Sequence, residues 1–411
     1  MVRDWFKKTT NREEDSFHHG MASNEIRGVQ IWFAFLGLSL SLSLAVSNVL
    51  VAIMLLYLFA RHPSSLKERL KSKTFIILIS AACLFQVMGI IHDGWFITKT
   101  AKIYLLFSFM LLIGNVLRSF NIRWLPWFLS SLVIGLAIGT ALNLHLRPEY
   151  PLWATYAMSY ANQAAGFALT IGLLSYATKR QRLFILLLSG SLIYTVMAGE
   201  RSAFLSLAAA FIVLAAIRYK HSLLLTIPLV MIFLGFFAIT LLPDGQIEET
   251  KQRYLQDNVR FDIWTHGFLI AQKDYFLGRG EHQAFTAQER SIHTTMGPTA
   301  RKFFSHTFPT GLSDKAYEEI QLSYHNQAVQ YLVEYGLIGF MMFVALLIYP
   351  IVLVWRKNNH NRTLATGIMI WSAFAIHSLF ETSFDNHSVI IIGLLSGLTQ
   401  LFTDQSSPGQ V

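Results

Sequence analysis

The chain consists of long apolar runs separated by polar connections, and one connection is much longer than the others. A helix that rises about 1.5 Å per residue needs roughly 20 apolar residues to cross the hydrocarbon core of a bilayer. The pattern therefore predicts an all-α polytopic membrane protein with about 12 transmembrane helices. The apolar runs lie at 29–43, 45–60, 74–91, 102–117, 124–142, 158–177, 183–199, 202–217, 222–242, 329–355, 363–380 and 388–402.

The first two runs contain LGLSLSLSLAV, in which apolar and polar residues alternate. A period of two is typical of a strand in water, but an isolated strand cannot pair its backbone groups in lipid. We therefore predict helices with a break near Ser43. Residues 29–60 are long for one crossing and short for two, and the sequence leaves both possibilities open.

The long polar connection, 243–325, separates the ninth span from the tenth. Its first part has a helical pattern and its second part is irregular, so we expect a large, mainly helical loop that forms a cap. The predicted organisation is a cytoplasmic segment 1–28, transmembrane helices 1–9 in 29–242, the loop 243–325, transmembrane helices 10–12 in 326–402, and a cytoplasmic tail 403–411.

The distribution of positive charge predicts the orientation. If the N-terminus lies inside, the cytoplasmic segments hold twenty Lys and Arg residues and the short outer connections hold four. Positive residues accumulate in the cytoplasmic loops of membrane proteins. The long connection is therefore predicted to lie outside the cytoplasm.

Composition supports a membrane protein, because 53% of the residues are hydrophobic and only 14% are charged, against about 25% charged in soluble domains. The net charge is +9. In a membrane protein, this charge is better explained by positive residues in the cytoplasmic loops and by contact with anionic lipid than by a nucleic-acid partner. Cys83 is the single cysteine, so no internal disulfide is possible. The first 28 residues are polar, and no cleavable signal peptide is expected.

The candidate chemistry lies at the predicted outer edge of the membrane. Glu200 and Arg201 interrupt an apolar run there. Adjacent helix residues point in different directions, so the two side chains cannot simply neutralise each other. Two interpretations stay open: a tight interfacial turn with snorkelling charges, or a guanidinium directed at an anionic ligand.

Three further candidate arginines lie in the long connection. Arg260 follows Asn258, a possible helix N-cap, and a nearby carboxylate would be its ordinary partner. Arg279 lies between two glycines, where the backbone can approach a ligand closely. Arg290 lies in an irregular stretch, where solvated charge is the more common situation.

His325 and Asn326 stand at the head of an apolar segment, SYHNQAVQYLVEYGLIGF. A histidine at this place is either structural or a general base, since a neutral imidazole near pH 7 accepts a proton from a hydroxyl. Asn326 suits a helix cap, and Glu334, nine residues after His325, suits the orientation of a helix or loop.

The sequence contains no Asp-x-Asp, His-Glu-x-x-His or clustered Cys/His pattern, so neither a metal nor another cofactor is predicted. A phosphate substrate would then depend on arginine for charge neutralisation. The planar guanidinium binds phosphate oxygens bidentately and stays protonated.

Three stretches together resemble the O-antigen ligase and polymerase superfamily of bacterial envelope glycosyltransferases. They are GERSAFLSL at 199–207, VRFDIWTHGFLIAQKDYFLGRG at 259–280 and YHNQAVQYLVEYGLIGF at 324–340. Their order, spacing and shared predicted location carry the resemblance, which covers roughly 180–345. Asp274-Tyr275 stands where the family often has proline.

The resemblance implies an O-antigen ligase in the Gram-negative inner membrane, with its active site facing the periplasm. Such an enzyme transfers a glycan from undecaprenyl diphosphate to a hydroxyl of lipid A–core oligosaccharide, without a metal and with inversion. The implied partners are these two substrates and membrane lipid. The implied roles are a general base at His325, diphosphate binding by Arg201, Arg260, Arg279 and Arg290, and support from Asn326, Glu334 and Glu200.

Other functions stay open at this point. An O-antigen polymerase would use the same donor, and a protein O-glycosyltransferase is a third relative. A secondary transporter is the alternative from another class. It would show inverted repeats and ionisable groups near mid-bilayer, and the sequence shows neither.

Overall fold

All regular structure in the described part of the chain is helical, as the apolar pattern predicts. In the computed structural model, the described residues are 23–94, 98–120, 123–146, 155, 158, 161–198, 201–218, 264, 267–268, 271–272, 275–281, 326–355, 361–380 and 386–402.

The helices of the described part are α1 (Ser23–Leu42), α2 (Leu44–Arg61), α3 (Pro63–Leu70), α4 (Lys73–Asp93), α5 (Lys99–Ser119), α6 (Leu125–Leu146), α7 (Ala161–Leu174), α8 (Gln181–Ala198), α9 (Arg201–Arg218), α10 (Gln327–Trp355), α11 (Arg362–Phe380) and α12 (Asn386–Leu398). A short 3-10 helix, Ser175–Thr178, follows α7. Eleven of the twelve predicted apolar runs coincide with helices, and the twelfth, 222–242, lies outside the described residues.

Six of these helices are long and apolar enough to cross a membrane, and they are α2, α4, α5, α6, α8 and α10. The protein is therefore a membrane-embedded, multi-pass helical protein. The total of about 12 spans, the domain boundaries and the position of the long loop stay predictions.

The predicted break at Ser43 is present. The Ser43 backbone is extended, with φ −161° and ψ 115°, and its hydroxyl accepts a hydrogen bond from Val46 N at 3.5 Å. Serine favours such a cap because its side chain pairs a backbone N–H that the first helical turn leaves unpaired. The period-two stretch therefore forms two helices, α1 and α2.

Helix α5 lies at the centre of the packing. Phe107 and Leu111 contribute to one hydrophobic core cluster, and Met110 and Ile113 contribute to another. Small residues let α12 approach it closely: a Cβ on Gly397 would lie 2.4 Å from the Leu111 carbonyl oxygen. Close backbone packing of this kind stabilises helix pairs in lipid, where the hydrophobic effect supplies no attraction between helices.

Three helix contacts position the candidate site. Helix α9 packs along α11, and α10 packs against α4 and α11. Trp371 of α11 donates from Nε1 to the Leu347 carbonyl of α10 at 2.9 Å. Aromatic rings from α4, α5 and α10 meet beside the N-terminal part of α10. The Phe85 ring centroid lies 4.9 Å from that of Tyr104 and 4.7 Å from that of Tyr335.

Candidate functional site

Helix α10 is interrupted at Gly336, nine residues after its first residue. The backbone there has φ 64° and ψ −159°, outside the helical region. In a continuous helix, Leu337 N would donate to the Val333 carbonyl. The interruption removes that bond, so both groups need other partners.

Residues 275–281, called here the docked segment, supply these partners. Three backbone hydrogen bonds join it to α10: Arg279 N to Val333 O at 3.0 Å, Gly280 N to Glu334 O at 2.8 Å, and Leu337 N to Tyr275 O at 2.7 Å. The motif FLGRG of the long connection and the motif EYGLIGF of α10 are therefore parts of one backbone assembly, although more than fifty residues separate them in the sequence.

Two glycines make this approach possible. A Cβ on Gly336 would lie 2.4 Å from the Phe276 carbonyl carbon, and a Cβ on Gly278 would lie 2.5 Å from the Glu334 carbonyl carbon. Gly278 also has φ 69°, a conformation that L side chains rarely adopt. Both positions therefore require glycine for two reasons, the backbone conformation and the space.

Arg279 is the predicted diphosphate ligand that the structure describes with its side chain. It lies between Gly278 and Gly280, both with positive φ, and it is partly buried. Its backbone N–H is fixed to Val333, so the arginine lies directly beside the interruption in α10. The glycines on either side of Arg279 thus lie in a segment that approaches α10 closely, and the predicted approach to a ligand stays a prediction.

Glu281 is a residue that the sequence analysis missed. Its Oε2 accepts from Lys99 N at 2.8 Å, and its Oε1 accepts from Thr100 N at 2.8 Å. The Tyr335 hydroxyl donates to Oε1 at 2.5 Å. A carboxylate at a helix N-terminus pairs free N–H groups and interacts favourably with the helix dipole. Glu281 therefore fixes the end of the docked segment to α5 and α10 together.

The head of α10 is held by its own polar residues. Asn326 Oδ1 accepts from Val329 N at 3.1 Å, so Asn326 caps the helix. The Gln330 side-chain amide donates to the Glu334 carboxylate, which is buried. Glu334 therefore contacts Gln330 through its carboxylate and the docked segment through its carbonyl, and its orienting role stays a prediction. His325 lies outside the described residues.

The remaining predicted ligands are less completely described. Arg201 is the first residue of α9, and the structure describes its backbone only. Glu200, Arg260 and Arg290 lie outside the described residues. The structure thus brings Arg279, Glu334 and the helix capped by Asn326 together, and the functional roles of all the predicted site residues stay predictions.

A cavity with a mainly apolar lining lies between α7, α9, α11 and α12, in the part of the chain that is described. Its volume of about 40 Å³ is enough for about three water molecules. Its polar lining consists of Gln163, Thr170, Ser206, His377, His387 and Ser388. Both histidines are buried, and the sequence signal that could have found them is an ionisable residue in or beside an apolar run.

Among the described residues, no three His, Cys, Asp or Glu side chains form a group that could hold a metal ion. The backbone N–H groups of Arg279, Gly280 and Leu337 are bonded within the assembly. The group near the interruption that suits a phosphate ligand is therefore the Arg279 guanidinium. Independence from metals stays a prediction.

Comparison with known proteins gives one result for the chain. Residues 183–344 match a family model described as O-antigen ligase. No curated protein matches the chain significantly. The matched range contains the start of α9, the docked segment and the interruption of α10, which are the stretches that carry the resemblance in the sequence. Over residues 183–344, the chain therefore carries the domain of the O-antigen ligase family.

Proposed function

We propose that the protein is a lipopolysaccharide O-antigen ligase of the inner membrane. It would transfer a glycan from undecaprenyl diphosphate to a hydroxyl of lipid A–core oligosaccharide at the periplasmic face. The family match supports an activity of the O-antigen ligase and polymerase type. We further propose that the reaction is that of a ligase and not a polymerase, and that the donor and the acceptor are the two substrates named above.

The observation that carries the proposal is the attachment of Arg279 to α10. The docked segment bonds to α10 at Val333, seven residues after the Asn326 cap, or roughly 10 Å along a helix. A sugar diphosphate has a similar length. A donor could therefore place its diphosphate near Arg279 and its sugar toward the head of α10, where His325 precedes Asn326 in the sequence.

The proposed reaction is a direct displacement with inversion. The acceptor hydroxyl oxygen forms a bond to the anomeric carbon, and the bond from that carbon to the diphosphate oxygen breaks. The hydroxyl proton passes to the His325 imidazole. The electron pair leaves with undecaprenyl diphosphate, whose growing negative charge is stabilised by Arg201, Arg260, Arg279 and Arg290.

Lipopolysaccharide from a deletion strain tests the choice within the family. Loss of a ligase leaves full-length polymer on the lipid carrier and a core without O-antigen. Loss of a polymerase instead leaves cores that carry a single repeat. The second pattern would contradict the proposed function and favour the polymerase alternative.

The general base is tested with purified His325→Ala. Transfer should fall on the order of 10²–10⁴-fold, since a positioned proton acceptor contributes that much. Donor binding should change little, because the arginines hold the diphosphate. Both quantities are measured on the same folded preparation. Normal transfer, or a parallel loss of transfer and donor binding, would remove His325 from the mechanism.

A further inference from the structure

The docked segment exposes three consecutive apolar side chains. Tyr275, Phe276 and Leu277, called here the apolar ridge, are 49%, 67% and 46% exposed. The two rings stand edge to face, with centroids 5.8 Å apart. Consecutive apolar side chains that are exposed on a fixed backbone mark a contact surface.

The position of the ridge relative to the membrane follows from α10. Residues Leu337–Val354 contain no charged side chain, and these 18 residues span about 27 Å, close to the thickness of the hydrocarbon core. The polar residues of α10, including Gln330 and Glu334, precede Gly336. The membrane boundary therefore falls at the interruption, where Tyr275 O accepts from Leu337 N.

The lipid-facing surface of α10 begins at the same place. Its exposed apolar residues follow a spacing of three or four, which is one face of a helix. They are Met341, Ala345, Ile348, Tyr349 and Val352. This face starts one turn after Leu337, so the bond from Leu337 to Tyr275 attaches the ridge to its upper end.

We infer that Tyr275, Phe276 and Leu277 insert into the lipid at the boundary between headgroups and acyl chains. Tyrosine is enriched at this depth in membrane proteins, because its ring is apolar and its hydroxyl reaches water. Insertion holds Arg279, two residues after Leu277, at the level of the lipid phosphates. The inference concerns the membrane and does not depend on the proposed transfer reaction.

Depth-dependent fluorescence quenching tests the inference. The single native cysteine is removed by Cys83→Ser, and Phe276→Cys is labelled with an environment-sensitive fluorophore. The protein is reconstituted into phosphatidylethanolamine–phosphatidylglycerol vesicles that carry a doxyl group either near the headgroup or near the chain end. Met341→Cys is the matched lipid-facing control, and Lys67→Cys on the polar helix α3 is the aqueous control.

We expect the label at Phe276 to be quenched several-fold more by the shallow doxyl group than by the deep one. Iodide in the water should quench it several-fold less than the label at Lys67. The label at Met341 should be quenched more by the deep doxyl group than the label at Phe276.

Iodide quenching equal to that at Lys67 would overturn the inference, because the ridge would then face water. Protection from both quenchers would also overturn it, because protein would then cover the ridge. Leu277→Cys repeats the measurement if Phe276→Cys does not give folded protein. Both positions are exposed, so neither label displaces a core side chain.

Discussion

Replacement of Gly336 by alanine should release the docked segment from α10 and leave the protein folded. The new Cβ would lie 2.4 Å from the Phe276 carbonyl carbon and 2.6 Å from Gly278 N. Ordinary contacts begin at about 3.4 Å, so the segment would have to move by roughly 1 Å. The bond from Leu337 N to Tyr275 O, now 2.7 Å, would not survive this movement.

The magnitude has two parts. A residue with a side chain at φ 64° and ψ −159° is strained by about 1–3 kcal/mol. The three backbone bonds to the segment contribute on the order of 1 kcal/mol each, and the clash opposes them. A continuous α10 avoids the strain and restores the bond from Leu337 N to Val333 O. Strain alone should therefore lower the ratio of docked to undocked protein roughly 5- to 140-fold, at tenfold per 1.4 kcal/mol.

Hydrogen exchange read by mass spectrometry measures the release. Peptides that contain Arg279 and Gly280 should exchange faster in Gly336→Ala by a factor in this range, since opening free energies set exchange. Gly190→Ala is the matched control, because Gly190 lies in α8 with no atom near its missing Cβ. Exchange at Arg279 and Gly280 as slow as in the unmodified protein would refute the reasoning.

Three further predictions concern neighbouring contacts. Glu281→Gln should lower the free energy of unfolding by about 1–2 kcal/mol, because it removes a hydrogen-bond acceptor and a negative charge from the start of α5. Thermal unfolding in detergent measures this loss. An unchanged unfolding temperature would show that water can replace the carboxylate. Gly397→Val should yield aggregated protein on size-exclusion chromatography, because the valine Cβ would lie 2.4 Å from the Leu111 carbonyl oxygen. A monodisperse variant would contradict the close packing of α5 and α12. Arg279→Lys should weaken donor binding nearly as much as Arg279→Ala, since lysine lacks the guanidinium fork; donor binding equal to that of the unmodified protein would exclude bidentate binding.

Much of the helical architecture could be predicted, because lipid admits only structures in which the backbone N–H and C=O groups are hydrogen-bonded to each other. An apolar run in a membrane protein must form a helix or a closed barrel, so hydropathy alone placed the described helices other than α3. The break at Ser43 was predictable for the same reason, together with the capping preference of serine. The short helix α3 was not predicted, because it lies in a polar connection where hydropathy carries no signal.

The docked segment could not be predicted because its determinants lie far apart in the sequence. Gly278 and Gly336 suggest turns when each is considered alone, and only the folded chain shows that each provides space for the other. Glu281 has no local partner, since the N–H groups that it accepts from lie about 180 residues earlier. His377 and His387 meet at one cavity through the packing of α11 and α12 with α7 and α9, which the sequence does not specify.

The interruption of α10 provides a way to fix a loop relative to the membrane. A continuous helix satisfies its own backbone groups and offers none to a neighbouring segment. An interruption at the boundary leaves a donor on Leu337 and an acceptor on Val333, and lipid supplies no water to pair them. A backbone hydrogen bond contributes little free energy in water, but a polar backbone group without a partner is costly in an apolar environment. The docked segment therefore binds α10 where unpaired backbone groups would cost the most free energy. The backbone of Arg279 is therefore fixed relative to α10 by the bonds between the docked segment and this helix.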